Sequence, residues 1–375
     1  TTTFSTKLKK KFNKKNYTAI GASYDLYNVS YSDSMYHATI DQFKTITDIS
    51  DKNMGLFQAF AEWKHRFSNN FEMYSGLHYQ YFDLNGKQSI EPRFNISYKM
   101  AGNQSLGISY GLHSQLQPRH VYFNAELQSP EGTNITSNED LDFSKAQHIV
   151  LGYDNLIGKN FRAKAEIYYQ HLFNIPIDNQ KGYYSLLNSG DFFRIFTTPD
   201  LVNEGTGENY GIELTLEKFF SNNYYFLITN SLFQSTYKGS DGIERNTAFN
   251  GNYVLNVLGG YEFKLKNSNT LNFDINTSYA GGKRYIPVNE AASTTQTVMD
   301  YDNAYKEQYP DYFRLDVKLS YKLNRPKATY SFSLDVQNIT NHKNIFSHQY
   351  NHETGEFVTD YQQGLFPIFQ FRVEF

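Results

Sequence analysis

The stretch LNFDINTSYA, residues 271–280, alternates apolar and polar side chains without interruption. Asparagine, aspartate and serine occupy residues 272, 274, 276 and 278. The positions between them carry apolar side chains and one threonine, namely Leu271, Phe273, Ile275, Thr277 and Tyr279. Successive side chains of a β-strand point to opposite faces of its sheet. The pattern therefore predicts a strand with one apolar and one polar face.

The same alternation recurs from end to end and predicts an all-β chain of roughly fifteen strands. These segments lie at approximately 2–12, 17–30, 54–67, 71–82, 89–100, 105–114, 144–156, 161–172, 206–218, 224–236, 251–265, 270–282, 312–323, 328–340 and 365–375. They are roughly twice as long as the usual strand of a globular protein. At about 3.3 Å per residue and a tilt of about 45°, ten residues cover the apolar band of an outer-membrane barrel. Strand length thus favours a transmembrane antiparallel β-barrel.

The predicted connections alternate in length. Short polar turns lie at 13–16, 68–70, 101–104, 158–160, 221–223, 266–269 and 324–327. Longer loops occupy 31–53, 115–143, 173–205, 237–250, 283–311 and 341–364, and 83–88 is the exception. Aromatic residues flank several short turns, as in FSNNF (67–71) and FFSNNYY (219–225). Short turns at one end, long loops at the other and an aromatic girdle are typical of outer-membrane barrels.

Composition agrees with half-buried strands. Aromatic residues make up 17% of the chain, mainly 32 tyrosines and 31 phenylalanines, although mean hydropathy is −0.60. The net charge of −3 and the absence of a basic stripe speak against nucleic-acid binding. The absence of cysteine excludes disulfides and thiolate metal sites. The chain has no run of about 18 apolar residues, the pattern that would predict a transmembrane helix.

The odd strand count carries an expectation about the region upstream. In an antiparallel sheet with an odd number of strands, the first and last strands run in the same direction. If the last strand descends to the short-turn end, the first does too, and the two would close the barrel as a parallel pair. Bacterial single-chain barrels have even strand numbers. We therefore expect further strands before residue 1, so that the barrel is incomplete in this chain.

The final segment FPIFQFRVEF (366–375) places four apolar side chains on one face, namely Phe369, Phe371, Val373 and Phe375. This ending resembles the C-terminal signal of outer-membrane proteins, in which a last aromatic residue is recognised by the barrel-assembly machinery. The resemblance makes these four residues the expected assembly signal.

The C-terminal half resembles one family more closely. The segments YPDYFRLDVKLSYKLN (309–324), LDVQNITNHKNIF (334–346) and GLFPIFQFRVEF (364–375) are similar to the last three strands of TonB-dependent outer-membrane receptors. The branch in question often carries an N-terminal carboxypeptidase-regulatory-like domain. Residues 209–265 and 277–288 look like the preceding hairpins. The similarity is clear over 206–375 and architectural before it.

The resemblance implies a barrel of about 22 strands around an N-terminal plug. Residues 1–375 would then be the C-terminal portion of one barrel, without the plug, the TonB box or a second domain. The implied function is TonB-dependent uptake of a scarce ligand across the bacterial outer membrane, with a siderophore, glycan, cobalamin or peptide as the ligand class. Implied partners are outer-membrane lipids, the TonB complex, the assembly machinery and, as a candidate, a surface lipoprotein. No cofactor is expected.

Two other functions stay open from the residues. One is an envelope barrel with a structural or secretion role, whose loops dock partner proteins. The other is a soluble all-β binding protein, which would be extracted without detergent. An upstream plug and TonB box would favour uptake. The chain contains no Gly-x-Ser-x-Gly elbow, His-Glu-x-x-His helix or P-loop, so we expect no enzyme.

Candidate site residues fall into two groups. Aromatic and arginine side chains in long loops suit stacking on sugars or flat chelates, although they also suit loop packing: Tyr183, Tyr184, Phe192, Phe193, Arg194, Tyr301, Tyr305 and Tyr309. Polar strand positions would face the plug inside the barrel: Arg314, Asp316, Lys318, Asp335 and Gln337. The alternate positions Leu315, Val317, Leu319 and Leu334 would face lipid.

Two polar clusters offer weaker signals for metal binding. His342, His348 and His352 share one loop but are poorly spaced for a preformed site. Acidic residues crowd the loop at 283–311, and we interpret them as a solvated loop in preference to a site for calcium or a cationic ligand. We therefore assign no metal site.

Overall fold

The computed structural model describes residues 1–37, 42–123, 138–180, 182–190 and 200–375. Strands dominate this part of the chain. They are β1 (Thr2–Lys11), β2 (Asn16–His37), β3 (Gln42–Arg66), β4 (Phe71–Phe82), β5 (Gln88–Lys99), β6 (Gln104–Gln115), β7 (Ser144–Ile157), β8 (Phe161–Asp178), β9 (Leu201–Ser221), β10 (Tyr224–Lys238), β11 (Glu244–Asn246), β12 (Tyr253–Lys264), β13 (Thr270–Ala280), β14 (Arg284–Tyr285), β15 (Glu307–Gln308), β16 (Tyr312–Asn324), β17 (Thr329–Gln337), β18 (Ile345–Asn351), β19 (Glu356–Tyr361) and β20 (Phe366–Glu374).

Within the residues that the structure describes, helical structure is confined to single turns. One α-helix, α1, covers Arg119–Tyr122, and 3₁₀ turns cover Leu186–Asn188, Lys266–Ser268 and Tyr301–Asn303. No helix in the described ranges is long and apolar enough to cross a membrane.

One antiparallel sheet contains sixteen of the described strands. Fifteen of them follow one another in the order β1 to β10, β12, β13, β16, β17 and β20, and the short β11 pairs with β10 as the sixteenth. The prediction of roughly fifteen antiparallel strands is confirmed, and β4 has the predicted bounds of 71–82. Strands that are consecutive in the main path are thus neighbours in the sheet, so each pairs with the strands before and after it in this path.

The register divides the sheet into two chemically distinct faces. Leu319 pairs with Phe273 on one side and Leu334 on the other, and positions in register with this row form the apolar face. Lys318 pairs with Asp274 and Asp335, and positions in register with this row form the polar face. Because opposite residues of an antiparallel pair share a face, one period-2 pattern runs through the whole sheet.

The two faces differ in exposure and bonding. Large apolar side chains of the apolar face are exposed, among them Ile167, Leu214 and Phe369. Side chains of the polar face bond across strands instead, as Asn95 does to Ser109 and Gln170 does to Asn209. An exposed apolar face opposite a bonded polar face is the arrangement of a barrel wall with lipid outside and a polar interior.

Several predicted loops contain more strand than expected. The prediction of a loop at 31–53 is wrong over most of its length, because β2 continues to His37 and β3 begins at Gln42, with Tyr31 opposite Ile49. Likewise β8 reaches Asp178 and β9 begins at Leu201 inside the predicted loop 173–205. These extensions lack the apolar alternation of the barrel strands, which is why periodicity did not identify them. Backbone pairing alone is enough to extend a hairpin.

The other long loops also hold local structure. Strands β14 and β15 pair within 283–311, and β18 and β19 form a hairpin within 341–364. Gly355, at φ +71°, lies in the turn of this hairpin, a backbone conformation that glycine adopts without strain. Both pairs lie at the long-loop end of the sheet, where they build a folded layer beyond the strands.

A small apolar core, here called the cap core, lies at the same end. Its buried side chains come from β2, β3 and the end of β4, from α1, from the segments before β7 and β9 and from the start of β9, namely Tyr27, Ile49, Met54, Leu56, Phe82, Val121, Tyr122, Phe123, Leu141, Phe143, Leu186 and Leu201. The rings of Phe82 and Tyr122 are 5.1 Å apart and both side chains are fully buried. The cap core thus fixes connections that the sequence predicted as irregular loops.

Candidate functional site

An aromatic cavity of about 700 Å³ lies between the 283–311 connection and the β18–β19 hairpin. The chain segments that surround it carry aromatic, apolar and a few charged side chains. Its lining residues are Lys283, Arg284, Tyr285, Ile286, Pro287, Val288, Glu290, Thr297, Met299, Tyr309, His348, Gln349, Tyr350 and Phe357. A cavity of this size at the loop end of a barrel wall is within the range of small-molecule sites.

Ring contacts hold the cavity walls together. Tyr285 and Tyr309 stack with centroids 4.4 Å apart and planes 16° from parallel. His348 packs edge-on against Tyr309 at 5.0 Å, and the Tyr309 hydroxyl accepts the backbone N–H of His348 at 3.2 Å. Phe357 contacts both His348 and Tyr350, at 6.1 and 5.0 Å. The loop and the hairpin are therefore joined through a continuous aromatic wall.

Arg284, a charged residue of the cavity wall, has structural partners. Arg284 donates to the backbone oxygens of Asn250 and Lys306 and to the side chain of Asn252, at 2.9, 3.0 and 3.2 Å. Burial lowers its pKa from the usual value, yet a guanidinium remains charged in proteins. Burial and the nearby Glu307 raise the pKa of Tyr285, so its hydroxyl stays neutral. The cavity can stack on and donate hydrogen bonds to a ligand.

Close backbone packing requires glycine at the start of this connection. A Cβ on Gly282 would lie 1.9 Å from the backbone oxygen of Tyr309, and one on Gly281 would lie 1.8 Å from the oxygen of Gly251. Real Cβ atoms do not approach a backbone oxygen so closely. Gly282 therefore allows the backbone at Tyr309 to pack closely against the start of this connection, and Gly281 does the same for Gly251.

Gly282→Ala is expected to displace residues 283–311 and to destabilise this region by about 1–3 kcal/mol, as overpacking does. The fluorescence of a tryptophan placed at Tyr285 would report the disturbed stack. Gly107→Ala is the matched control, because its Cβ would meet no atom closer than 3.7 Å. An unchanged Tyr309 environment in the Gly282 variant would contradict the proposed constraint.

The aromatic residues predicted for ligand contact take different positions. Tyr183 stacks on Tyr301 with centroids 4.7 Å apart, and Tyr184 packs against the cap core. Tyr305 is buried beside Tyr237, whereas Tyr309 belongs to the aromatic cavity. The structure thus separates these tyrosines between packing and cavity positions, and Tyr301 keeps an exposed ring. The predicted residues Phe192, Phe193 and Arg194 lie outside the described residues.

The predicted interior residues lie on the polar face. Arg314 donates to Asp316 at 2.7 Å, and Asp316 also accepts the backbone N–H of Asn338 at 2.8 Å. Lys318 lies in register with Asp335, and Gln337 is the last residue of β17. The sheet therefore places all five side chains near the long-loop half of β16 and β17.

The four residues predicted as an assembly signal lie in or beside β20. Phe369 and Phe371 are exposed, and Phe371 packs against Phe332 at 4.9 Å. Val373 pairs with Tyr330, and Phe375 is fully exposed. Phe369, Phe371 and Val373 continue the apolar face to the short-turn end of β20.

The histidines of the 341–364 connection are separated. His342 packs edge-on against Phe313, whereas His348 belongs to the aromatic cavity. In the described ranges, no cluster of three histidine, aspartate or glutamate side chains could hold a metal ion. Sequence reasoning missed Tyr285, Tyr350 and Phe357 as a group, because the 283–311 connection and the β18–β19 hairpin meet only in the fold. The aromatic residues flanking His348 were the available signal.

Together these features define a class of protein. A long antiparallel sheet with an apolar face, a polar face, short turns at one end and folded loops at the other is the wall of an outer-membrane β-barrel. In such barrels the short turns face the periplasm and the long loops face the outside.

The chain belongs to the TonB dependent receptor-like, beta-barrel family, whose model matches residues 1–339. The match covers the N-terminal strands, where only the architecture was recognisable from sequence. Membership places the chain in the bacterial outer membrane. No curated protein matches the chain.

Solved structures of similar fold are receptors and transporters. The outer membrane transporter YddB from Escherichia coli superposes with a TM-score of 0.67 at 14% identity over 99% of this chain and 53% of its own. The ferric-catecholate import receptor Fiu from Escherichia coli has a TM-score of 0.65 at 12% identity, with 99% of this chain and 54% of its own chain covered. The ferric yersiniabactin uptake receptor FyuA from Yersinia pestis has a TM-score of 0.64 at 11% identity, with 97% of this chain and 52% of its own chain covered. The chain thus spans about half the length of each, and these identities show a shared fold alone.

Proposed function

We propose that this chain forms the loop-bearing wall of a receptor for TonB-dependent uptake of a scarce ligand across the outer membrane. The observation that carries the proposal is the aromatic cavity at the long-loop end of a barrel wall that belongs to this family. Ligand is captured there from outside by stacking and hydrogen bonding, and no chemical step follows. The protein acts as a transporter and not as an enzyme.

The cavity chemistry and the names of similar proteins support the ligand classes that we propose. Tyr285, Tyr309 and Phe357 offer flat apolar surfaces that suit a siderophore, a glycan, a cobalamin or an aromatic peptide side chain. Proteins of similar fold are named for ferric-catecholate import and ferric yersiniabactin uptake. We therefore rank a ligand with planar, polar-rimmed groups first.

The remaining partners are assigned by position. Residues 1–375 form one barrel domain, and the polar-face group Arg314, Asp316, Lys318, Asp335 and Gln337 holds a plug by ion pairs and hydrogen bonds. The TonB complex is the proposed partner for uptake. Lipid covers the apolar face. The assembly machinery reads Phe369, Phe371, Val373 and Phe375, and a surface lipoprotein is the candidate lid over the loops.

Tyr285→Ala combined with Phe357→Ala in the full-length receptor is expected to reduce ligand capture about tenfold or more. Each change removes a ring worth about 0.5–1.5 kcal/mol of stacking beyond its buried area. Capture would be measured on cells as saturable binding of labelled ligands from each class. The control Tyr361→Ala removes an exposed ring that does not line the cavity.

TonB dependence is tested in the same cells. Uptake by the unaltered receptor should stop when the TonB complex is deleted, whereas surface binding should remain. Uptake that persists without TonB, or normal growth without this receptor on every ligand class, would favour a barrel with a structural or secretion role. If the double variant captured ligand as well as the unaltered receptor does, the binding site would have to lie outside the aromatic cavity.

A further inference from the structure

A second cavity, here called the polar pocket, lies on the polar face beneath the cap core. It has a volume of about 480 Å³ and is separate from the aromatic cavity. Its walls come from β2 to β6 and from the segment that leads into α1. The lining residues are Tyr27, Leu56, Gln58, His78, Gln80, Arg93, Ser114, Gln115, Leu116, Gln117, Pro118 and Arg119.

A buried carboxylate organises the floor of the polar pocket. Glu91 has no exposed surface, and its Oε1 accepts hydrogen bonds from Gln80 at 2.5 Å and from the Ser114 hydroxyl. Its Oε2 contacts His78 Nδ1 at 3.1 Å and accepts from Arg93 Nη2 at 2.5 Å. Both oxygens are therefore engaged by the wall, and the carboxylate fixes side chains that face the pocket.

The roof is held in place by the cap core. The backbone N–H of Gln117 donates to the Tyr122 hydroxyl at 3.1 Å, and its side-chain amide donates to the Asp142 backbone oxygen at 2.8 Å. The Gln117 amide oxygen accepts from Ser144 at 3.0 Å. These three bonds tie the segment before α1 to α1 itself, to the segment before β7 and to the first residue of β7. The pocket is thus formed before any ligand arrives, which lowers the ordering cost of binding.

Two guanidinium groups give the pocket a positive rim. Arg119 lies over the Tyr27 ring with its Cζ 3.9 Å from the ring centroid, and this guanidinium makes no hydrogen bond to a described residue. Arg93 uses only Nη2 toward Glu91, and its side chain is 43% exposed. Glu91 pairs with Arg93, and no ion pair joins Arg119 to a carboxylate of the described residues, so Arg119 contributes the positive charge that the pocket offers. Planar guanidinium donors match carboxylate and phosphate oxygens better than any other side chain does.

We propose that the polar pocket binds a diffusible anion through a carboxylate or phosphate group held between Arg93 and Arg119. The amides of Gln58 and Gln80 add neutral polar surface beside this group. A carboxylate side chain from another region of the full-length receptor has the same chemistry, and a binding measurement distinguishes the two sources. The site stands independently of the uptake proposed above, because it is tested on purified receptor.

The test is a calorimetric titration of the full-length receptor in detergent with inorganic phosphate and, separately, with malonate at low salt. The unaltered receptor should bind at least one of the two anions, with an affinity that falls as salt is added. Arg119→Gln should weaken that binding at least tenfold. The anion affinity of Arg119→Lys should lie between those of the unaltered receptor and Arg119→Gln, because lysine keeps the charge but loses the bidentate geometry of the guanidinium.

Arg325→Gln is the matched control, because it removes the same charge from a short turn at the other end of the sheet. Heat-modifiable gel migration would show that every variant is folded. Equal anion affinity in the unaltered receptor and Arg119→Gln would overturn the proposal. Absence of both phosphate and malonate binding to the unaltered receptor would also overturn it.

Discussion

Leu319→Arg is expected to lower the free energy of unfolding of the barrel by about 2–4 kcal/mol, if the site lies near the middle of the membrane. Leu319 is near the middle of β16 and 45% exposed, although it lies between Phe273 and Leu334 in a row of apolar side chains. An exposed leucine in such a row is covered by lipid. Arginine at this position would bring a charged guanidinium into the hydrocarbon layer.

The measurement is equilibrium unfolding of the full-length receptor in lipid vesicles, followed by gel migration or tryptophan fluorescence. Ser320→Arg is the matched control on the same strand, since Ser320 is on the polar face between Asn272 and Ser333. We expect the control to change stability much less. Equal losses in the two variants would show that the apolar face is not the lipid face, and Leu315, Val317 and Leu334 would lose the same assignment.

The strands were predictable because lipid imposes a strict pattern on them. A strand of such a barrel needs apolar side chains on the face toward lipid and polar ones on the other, and β13 shows this period-2 alternation, with Phe273 and Ile275 on one face and Asp274 on the other. The same constraint gave the bounds of β4 without error. Strand residues beyond the alternating pattern were not predicted. Strand β2, for example, continues through Tyr31 to His37, where the alternation has ended.

The aromatic cavity was only partly predictable. Tyr309 was identified from its loop, but its partner Tyr285 lies more than twenty residues earlier and His348 lies in another connection. A cavity made by three segments leaves no periodic trace in any one of them. The β18–β19 hairpin was missed for a related reason, since its residues were interpreted as a polar histidine loop. Tertiary packing decides such sites, and a single sequence does not display it.

Phe82→Ala should destabilise the cap core by about 3–5 kcal/mol, the cost of deleting a buried phenylalanine side chain. Phe82 is fully buried at the end of β4 and packs directly against the Tyr122 ring. The loss should be local, because the barrel strands below keep their own pairing. Hydrogen exchange of the amides of Val121 and Phe143, both fully buried, would measure it as faster opening.

The change should also reach the polar pocket, because Tyr122 holds Gln117 and thereby the pocket roof. We expect phosphate or malonate binding to weaken in Phe82→Ala while heat-modifiable migration of the barrel stays normal. Phe82→Leu retains most of the buried volume and should cost less than about 1.5 kcal/mol, so it serves as the control. Unchanged exchange at Val121 in the alanine variant would mean that the cap core does not depend on this ring. Loss of barrel migration would mean instead that the cap core and the strands unfold as one unit.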